Sequence, residues 1–212
     1  MPLVENYILE HIDEEPDLLK KMNRDVHVNL LRPRMLSGHL QGRLLKMFCE
    51  MIQPKRVLEI GTYAGYSALC IAEALSESAV LHTIEINDEL EDFIRDYFSQ
   101  SAHSQKIRLH IGDAFDIVPA IDEQFDLVFI DGDKRKYWDY YELVFSKVVL
   151  GGFIFADNTL WDEKVIDNDV KQNDEQTKGI LKFNDLIATD KRIEKVILPV
   201  RDGMTIIRKI QK

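Results

Sequence analysis

The chain has 212 residues, 45% of them hydrophobic and 30% charged, which fits one α/β domain with a substantial core. A formal net charge of −10, from 27 basic and 37 acidic side chains, argues against a broad nucleic-acid surface and leaves room only for a local basic patch. The apolar runs are too short to span a membrane and no charged-then-apolar signal segment opens the chain. Cys49 and Cys70 sit in helix-like apolar contexts as two buried thiols, so a cytoplasmic protein is expected.

Residues 3–26 read as two helices. Leu3, Tyr7 and Ile8 share one helical face, and Pro16 falls just inside a second start, followed by Leu18, Leu19 and Met22. Arg24 to Arg34 has no clean period and carries Pro33, which predicts a loop. Leu40 to Ile52 returns to helical spacing, with Leu40, Leu44, Leu45, Phe48 and Ile52 facing a core. The expectation is a single domain over 1–212 whose N-terminal helices, about 1–52, cover the site or a dimer partner.

From Arg56 onward strands and helices alternate. Val57–Ile60 is a short apolar run of the kind that forms a buried parallel strand, Gly61 and Gly65 punctuate a tight turn, and Tyr66–Leu75 reads as a helix. Strands follow at Val80–Glu85, Ile107–Ile111, Phe125–Ile130 and Phe153–Ala156, the last entered through a Gly151-Gly152 turn. Helices are predicted at Asp88–Phe98, Ala114–Ile121, Tyr137–Val148 and Gly179–Thr189, with a long polar stretch from Trp161 to Lys178 before the last. Ile193–Leu198 and Met204–Ile210 are strands joined through Arg201-Asp202-Gly203, an Asp-Gly hairpin signal. This alternation predicts a doubly wound, mostly parallel sheet with a hairpin at one edge.

The glycine spacing at the first turn narrows the ligand. A dinucleotide site asks for G-x-G-x-x-G, with backbone N–H groups facing a pyrophosphate. Here the pattern is Glu59-x-Gly61-x-x-x-Gly65, and Tyr63 stands where the middle glycine belongs and would crowd a pyrophosphate. Glu59 suits a cationic or hydroxyl-rich ligand, and Gly61 lacks a Cβ where the backbone must approach one. Glu85 ends the second strand, 24 residues beyond Gly61, where a carboxylate can accept from both ribose hydroxyls of an adenosine ligand. Asp131-Gly132-Asp133-Lys134 and Asp157-Asn158 follow the fourth and fifth strands, at the edge where open sheets place ligands. Two carboxylates and an amide oxygen there form an all-oxygen set, suited to Mg²⁺, Mn²⁺ or Ca²⁺ and not to Zn²⁺; the same residue types are also ordinary turn formers.

Val57-Leu58-Glu59-Ile60-Gly61-Thr62-Tyr63-Ala64-Gly65-Tyr66-Ser67 closely resembles the first motif of S-adenosylmethionine-dependent, cation-dependent O-methyltransferases, the family of the caffeoyl-CoA and catechol O-methyltransferases and many bacterial relatives. The resemblance runs from about Arg32 through Asn158-Thr159-Leu160-Trp161, Phe183-Asn184 and Leu198-Pro199-Val200-Arg201-Asp202-Gly203-Met204-Thr205. It departs at Gly38-His39-Leu40, where many relatives carry a Ser-Pro-Glu-like stretch.

The resemblance implies a Rossmann-like class I methyltransferase with seven strands, the last antiparallel, and a homodimer. It places Glu59, Gly61, Thr62, Tyr63, Ser67, Glu85 and Asp131 around S-adenosylmethionine, with Ser67 on its methionine part, Asp113 and Ala114 lining the adenine, and Met35 near the sulfonium. Asp113 is equally an N-cap of the following helix. The family's metal triad maps onto Asp131, Asp157 and Asn158, with Mg²⁺ the first choice. Lys134 falls where relatives carry a lysine proposed as general base, beside Asp131. A free lysine, with a pKa of about 10.4, is protonated at neutral pH, and burial beside a cation would lower that value. Asp133, Trp161 and Asp162 match positions near the substrate, and the Trp161–Lys178 loop with the N-terminal helices would form the acceptor pocket.

The implied reaction moves a methyl group to a hydroxyl of a catechol-like or phenolic small molecule. One alternative acceptor is a hydroxylated uridine in tRNA, for which Arg24, Arg32, Arg34 and Arg43 offer a local patch against the acidic net charge. An alternative of another class is a non-catalytic adenosine-ligand binding module. The intact Asp131, Lys134, Asp157 and Asn158 set argues against it.

Overall fold

The computed structural model describes residues 2–167 and 169–211. Met1, Lys212 and Asn168 (within the predicted polar stretch) lie outside the described residues, as do the side chains of Pro2 and Leu3 and hence the expectation for Leu3. The strands are β1 (Arg56–Ile60), β2 (Val80–Glu85), β3 (Ile107–Ile111), β4 (Phe125–Ile130), β5 (Val148–Asp157), β6 (Ile193–Leu198) and β7 (Met204–Lys209). They form one seven-stranded sheet in the order β3-β2-β1-β4-β5-β7-β6. The first five are parallel, and β7 runs antiparallel to both β5 and β6. The edge pair is therefore the Asp-Gly hairpin, closed by Gly203 N–H donating to Val200 O at 2.9 Å.

The helices are α1 (Pro2–Leu9), α2 (Asp17–Asn29), α3 (Gly38–Ile52), α4 (Tyr66–Ala74), α5 (Glu91–Ser99), α6 (Ala114–Ala120), α7 (Tyr137–Phe145) and α8 (Glu175–Thr189). Successive strand residues feed two cores. Val57, Leu81, Leu127 and Phe155 pack under α2–α5, while Leu58, Val128, Ile130 and Ile154 pack under α6–α8. Burial on both faces is why these strands read as continuous apolar runs instead of alternating ones. Cys49 and Cys70 are buried free thiols in the first core. No helix among the described residues is long and apolar enough to cross a membrane.

Several boundaries differ from expectation; α5, for one, begins at Glu91 after a 3-10 turn over Asp88–Leu90 instead of at Asp88. The predicted loop from Arg24 is helical as far as Asn29, because Met22 and Val26, one turn apart, are both fully buried. Gly151-Gly152 lies inside β5, although the ladder to β4 is irregular there: Phe125 pairs with Val148, yet Leu127 already pairs with Phe153. Strand β5 starts at Val148, and α7 stops at Phe145, earlier than predicted. Lys209 Nζ donates to the carbonyls of Phe145 and Val148, both at 2.8 Å, and so satisfies the helix end. Helix α8 starts at Glu175, capped by Asp174, whose Oδ1 accepts from Thr177 N–H at 3.1 Å.

Candidate active site

Strand order reverses between β1 and β4, and an open sheet leaves a ligand crevice outside the carboxyl ends at such a point. Gly61 follows β1 and Asp131 follows β4, and their backbones touch. Asp131 N–H donates to Ile60 O at 2.8 Å. A Cβ on Gly61, whose φ is +99°, would stand 2.2 Å from the Asp131 carbonyl oxygen. The close approach expected of Gly61 toward a ligand is thus made first to the chain's own backbone, which welds the glycine turn to the end of β4.

Met35, Gly61, Thr62, Tyr63, Ser67 and Asp131 line one narrow cleft here, joined by Leu36, Ser37 and Tyr66, which sequence reasoning missed. Glu59 lies behind the turn with no exposed surface, its two oxygens accepting from Ser67 Oγ and Thr83 Oγ1. Burial pushes its pKa up to about 8, against the pull of those two hydroxyls. Glu85 closes the other side of the turn. Its Oε2 accepts from Tyr63 N–H at 2.7 Å and its Oε1 from Asn87 N–H at 2.9 Å. Burial raises its pKa while these backbone donors oppose the rise. Asp113 caps α6 through Phe115 N–H at 3.0 Å and pairs with Lys136 at 3.6 Å, with Ala114 buried behind it.

Asp131 and Asp157 lie side by side, because Ile130 and Ala156, the residues before them, are partners in the β4–β5 ladder. Asn158 follows with φ +56°, a left-handed conformation that asparagine tolerates better than most side chains. Asp157 is buried, and burial followed by the Asp131 charge raises its pKa above the ordinary carboxylate value. Its Oδ2 accepts from Gln41 Nε2 at 2.6 Å and its Oδ1 from Asn158 N–H at 2.8 Å. No group of three or more His, Cys, Asp or Glu side chains converges among the described residues, so a metal here must also draw on an amide oxygen, which Asn158 offers. The donors fit a hard divalent cation: they are all oxygens, and they hold two neighbouring carboxylates whose mutual repulsion a cation would relieve.

Lys134 is the cation already present. Its Nζ donates to Asp131 Oδ1 at 2.7 Å and to Tyr137 Oη at 2.9 Å. Burial pulls its pKa down, but the charges around it, Asp131 first, outweigh that and hold the ammonium above its ordinary value. The lowering expected from burial is therefore overridden by the protein's own carboxylates. Gly179 of α8 presses on this segment, where a Cβ would stand 2.3 Å from Lys134 O.

Beyond β5, Trp161, Asp162 and Glu163 are left-handed in succession, at φ +49°, +52° and +61°. Such strain is kept where surrounding contacts over-determine the backbone, and here Asp162 N–H donates to Asp202 Oδ1 at 2.9 Å. A cavity of about 300 Å³ opens between Leu160, Asp162 and the hairpin residues Pro199 and Arg201. The Trp161 indole nitrogen is buried and finds no hydrogen-bond partner among the described residues. Asp133 is not brought to this cavity's lining; Arg135 grips its carboxylate at 2.5 Å and holds its pKa down. Asn184 of α8 donates to Thr159 O at 2.8 Å, and its Oδ1 is buried with no partner among the described residues.

The family model described as O-methyltransferase matches residues 9–210. The chain is 32% identical to caffeoyl-CoA O-methyltransferase from Eucalyptus gunnii, over 97% of this chain and 86% of that one. The O-methyltransferase TomG from Streptomyces achromogenes, solved in complex with SAM, superposes with a TM-score of 0.89 at 25% identity, covering 98% of this chain and 96% of that one. The O-methyltransferase from Bacillus cereus, solved with SAH, gives 0.89 at 26% identity over 98% and 97%.

Proposed function

The chain belongs to the O-methyltransferase family, and we propose that it moves a methyl group from S-adenosylmethionine to one hydroxyl of a catechol-like or phenolic small molecule. A divalent cation, Mg²⁺ before Mn²⁺ or Ca²⁺, would be held by Asp131, Asp157 and Asn158. The observation that carries this reading is the pair of neighbouring carboxylates set directly against the Gly61 turn, with Lys134 on one of them. The SAM-bound and SAH-bound relatives support the cofactor, and the caffeoyl-CoA O-methyltransferase relatives support a hydroxylated aromatic acceptor.

Glu85 accepts from the ribose hydroxyls, Asp113 and Ala114 border the base, Thr62 and Tyr63 supply the turn, and Ser67, oriented by Glu59, bonds the methionine part. Met35 packs its apolar thioether near the sulfonium without adding charge. When bound, the cofactor supplies an electrophilic methyl, and the cation lowers the pKa of a coordinated hydroxyl and fixes its place. To act as the base, Lys134 would first give up its own ammonium proton to solvent and then take the hydroxyl proton at Nζ. The Asp131 charge keeps the Lys134 ammonium protonated, so this role requires that charge to be shared, and ligation by Asp131 shares it. The residues named above would hold the acceptor oxygen in line with the methyl carbon, and the cofactor would leave as its thioether. Asp162 borders the acceptor with Trp161 next to it in the chain, while Asp133, held by Arg135, stands away from the cavity that Asp162 lines.

Calorimetry with S-adenosylmethionine, followed by turnover of a caffeoyl or nitrocatechol acceptor, tests the reading. Binding is expected, with turnover that EDTA abolishes and Mg²⁺ restores. Turnover indifferent to EDTA would remove the cation, binding without methylation of any vicinal diphenol would remove the acceptor class, and no binding would remove the cofactor. A cytoplasmic homodimer belongs to the same reading. The buried thiols suit a reducing compartment, and Val4 and Tyr7 on α1 with Met47 and Met51 on α3 leave apolar surface exposed. Light scattering should return twice the chain mass, and a monomer at micromolar concentration would count against the dimer.

A further inference from the structure

Gln41 sits on α3, in the N-terminal part of the chain, yet its side chain ends at the reaction centre. It is only 2% exposed. Its Nε2 donates to Asp157 Oδ2 at 2.6 Å, and its Oε1 accepts from Arg201 Nη1 at 3.1 Å. Arg201 is held in turn, with Nη1 and Nη2 both donating to Leu36 O at 3.3 Å. The two ends of a carboxamide have the same shape and opposite hydrogen-bonding character. A guanidinium can only donate, so it must face the amide oxygen, and the amide NH₂ must then face the carboxylate. Arg201 thus fixes which way Gln41 points, and Gln41 fixes one oxygen of Asp157. Asn158 N–H holds the other oxygen at 2.8 Å. Each carboxylate oxygen accepts about two partners, so both keep a lone pair free.

We propose that Gln41, locked by Arg201, is a positioning residue that sets the Asp157 carboxylate for cation ligation and so governs divalent-cation affinity. This rests on the cation reading given above. The clamp joins three distant parts of the chain, namely α3, the β6–β7 turn and the end of β5. Any shift of the N-terminal helices or of the hairpin therefore reaches the ligand set through one amide. Partners of this kind behind a metal ligand typically change affinity by about 10- to 100-fold when removed.

The test is calorimetric titration of the full-length protein with MnCl₂, comparing wild type with Gln41→Leu, which keeps volume and removes the donor, and with Arg201→Ala, which frees the amide to flip. We expect the Mn²⁺ Kd to rise at least about tenfold in Gln41→Leu and about threefold in Arg201→Ala, with the S-adenosylmethionine Kd within about twofold of wild type in both. In turnover, the apparent KM for Mn²⁺ should rise by more than kcat falls. A Gln41→Leu protein with a lowered Tm and a wild-type Mn²⁺ Kd would overturn the proposal, since packing alone predicts that result. Should Gln41→Leu fail to fold, the Mn²⁺ Kd of Arg201→Ala decides, and an unchanged value overturns it. A wild-type protein that binds no Mn²⁺ overturns the cation reading itself, an outcome distinct from a variant that binds as well as wild type.

Discussion

Glu59 carries a fully buried carboxyl whose pKa stands at about 8 instead of the ordinary 4.5. The folded protein therefore keeps a proton that the unfolded chain has released, which gives stability a pH dependence of definite sign. The contribution is fully present below about pH 4.5 and is lost progressively as pH rises through about 8. Thermal melts between pH 5 and 9 should show a falling Tm to which Glu59, Glu85 and Asp157 all contribute, and Glu59→Gln, which cannot ionise, should reduce that slope most towards pH 8. An unchanged slope in the variant would place the linkage elsewhere. At Lys134 the expectation concerns rate. Lys134→Met should lower kcat by roughly 10²- to 10⁴-fold, the usual worth of a positioned acid–base group, while the S-adenosylmethionine Kd stays near wild type. That Asp131, Asp157 and Asn158 come together at one edge was legible because each follows an apolar strand run, and strand ends mark the ligand edge of an open sheet. Gln41 and Arg201 were not. A glutamine in a helical run has no local signature, and its partner Asp157 lies 116 residues away.

Helix α8 meets the segment that begins at Lys134 without any gap, and Gly179 is the reason. A Cβ there would stand 2.3 Å from Lys134 O and 2.7 Å from Arg135 Cα, both backbone atoms that cannot swing aside. Gly179→Ala should therefore destabilise the fold by about 1–3 kcal/mol, as overpacking does, and displace Lys134 enough to lower kcat. Gly151 supplies the contrast. Its φ is +84° but nothing lies within 4 Å of the added Cβ, so Gly151→Ala should cost about 1–2 kcal/mol from backbone strain alone and leave kcat unchanged. Urea melts with parallel kinetics separate the two, and equal kinetic losses would show that Gly179 does not act through Lys134. The same pair explains what could be read at this scale. Gly151-Gly152 signals a break, and the β4–β5 ladder does slip there, but sequence cannot say that pairing resumes on both sides of the slip. Helix α8 began too late in the prediction because the polar first turn after Asp174 carries no apolar period, only a cap.

At the scale of the whole molecule, the N-terminal helices divide into two kinds of structure. Helix α2 belongs to the core: Leu19, Met22 and Val26 are between 0% and 3% exposed. It is also fastened to α5, with Tyr97 Oη donating to Asp25 at 2.5 Å and accepting from Lys21 Nζ at 3.3 Å. Helix α1 has 8 residues, and Val4 and Tyr7 are 64% and 62% exposed. A helix that short is marginal in water without packing. The two should open differently. In native-state hydrogen exchange, α2 amides should exchange only with global unfolding, in step with β1, because releasing Met22 and Val26 exposes the core beneath them. Amides of α1 should exchange by local fraying, at least about 100-fold faster than those of α2. If α2 exchanged as fast as α1, the whole N-terminal part would be an appendage resting on the sheet. The Gln41 contact on α3 argues the other way. Helix α3 holds the buried Asp157 carboxylate through Gln41 and cannot come loose without breaking that contact, and α2 shares its core through Leu19, Met22 and Val26.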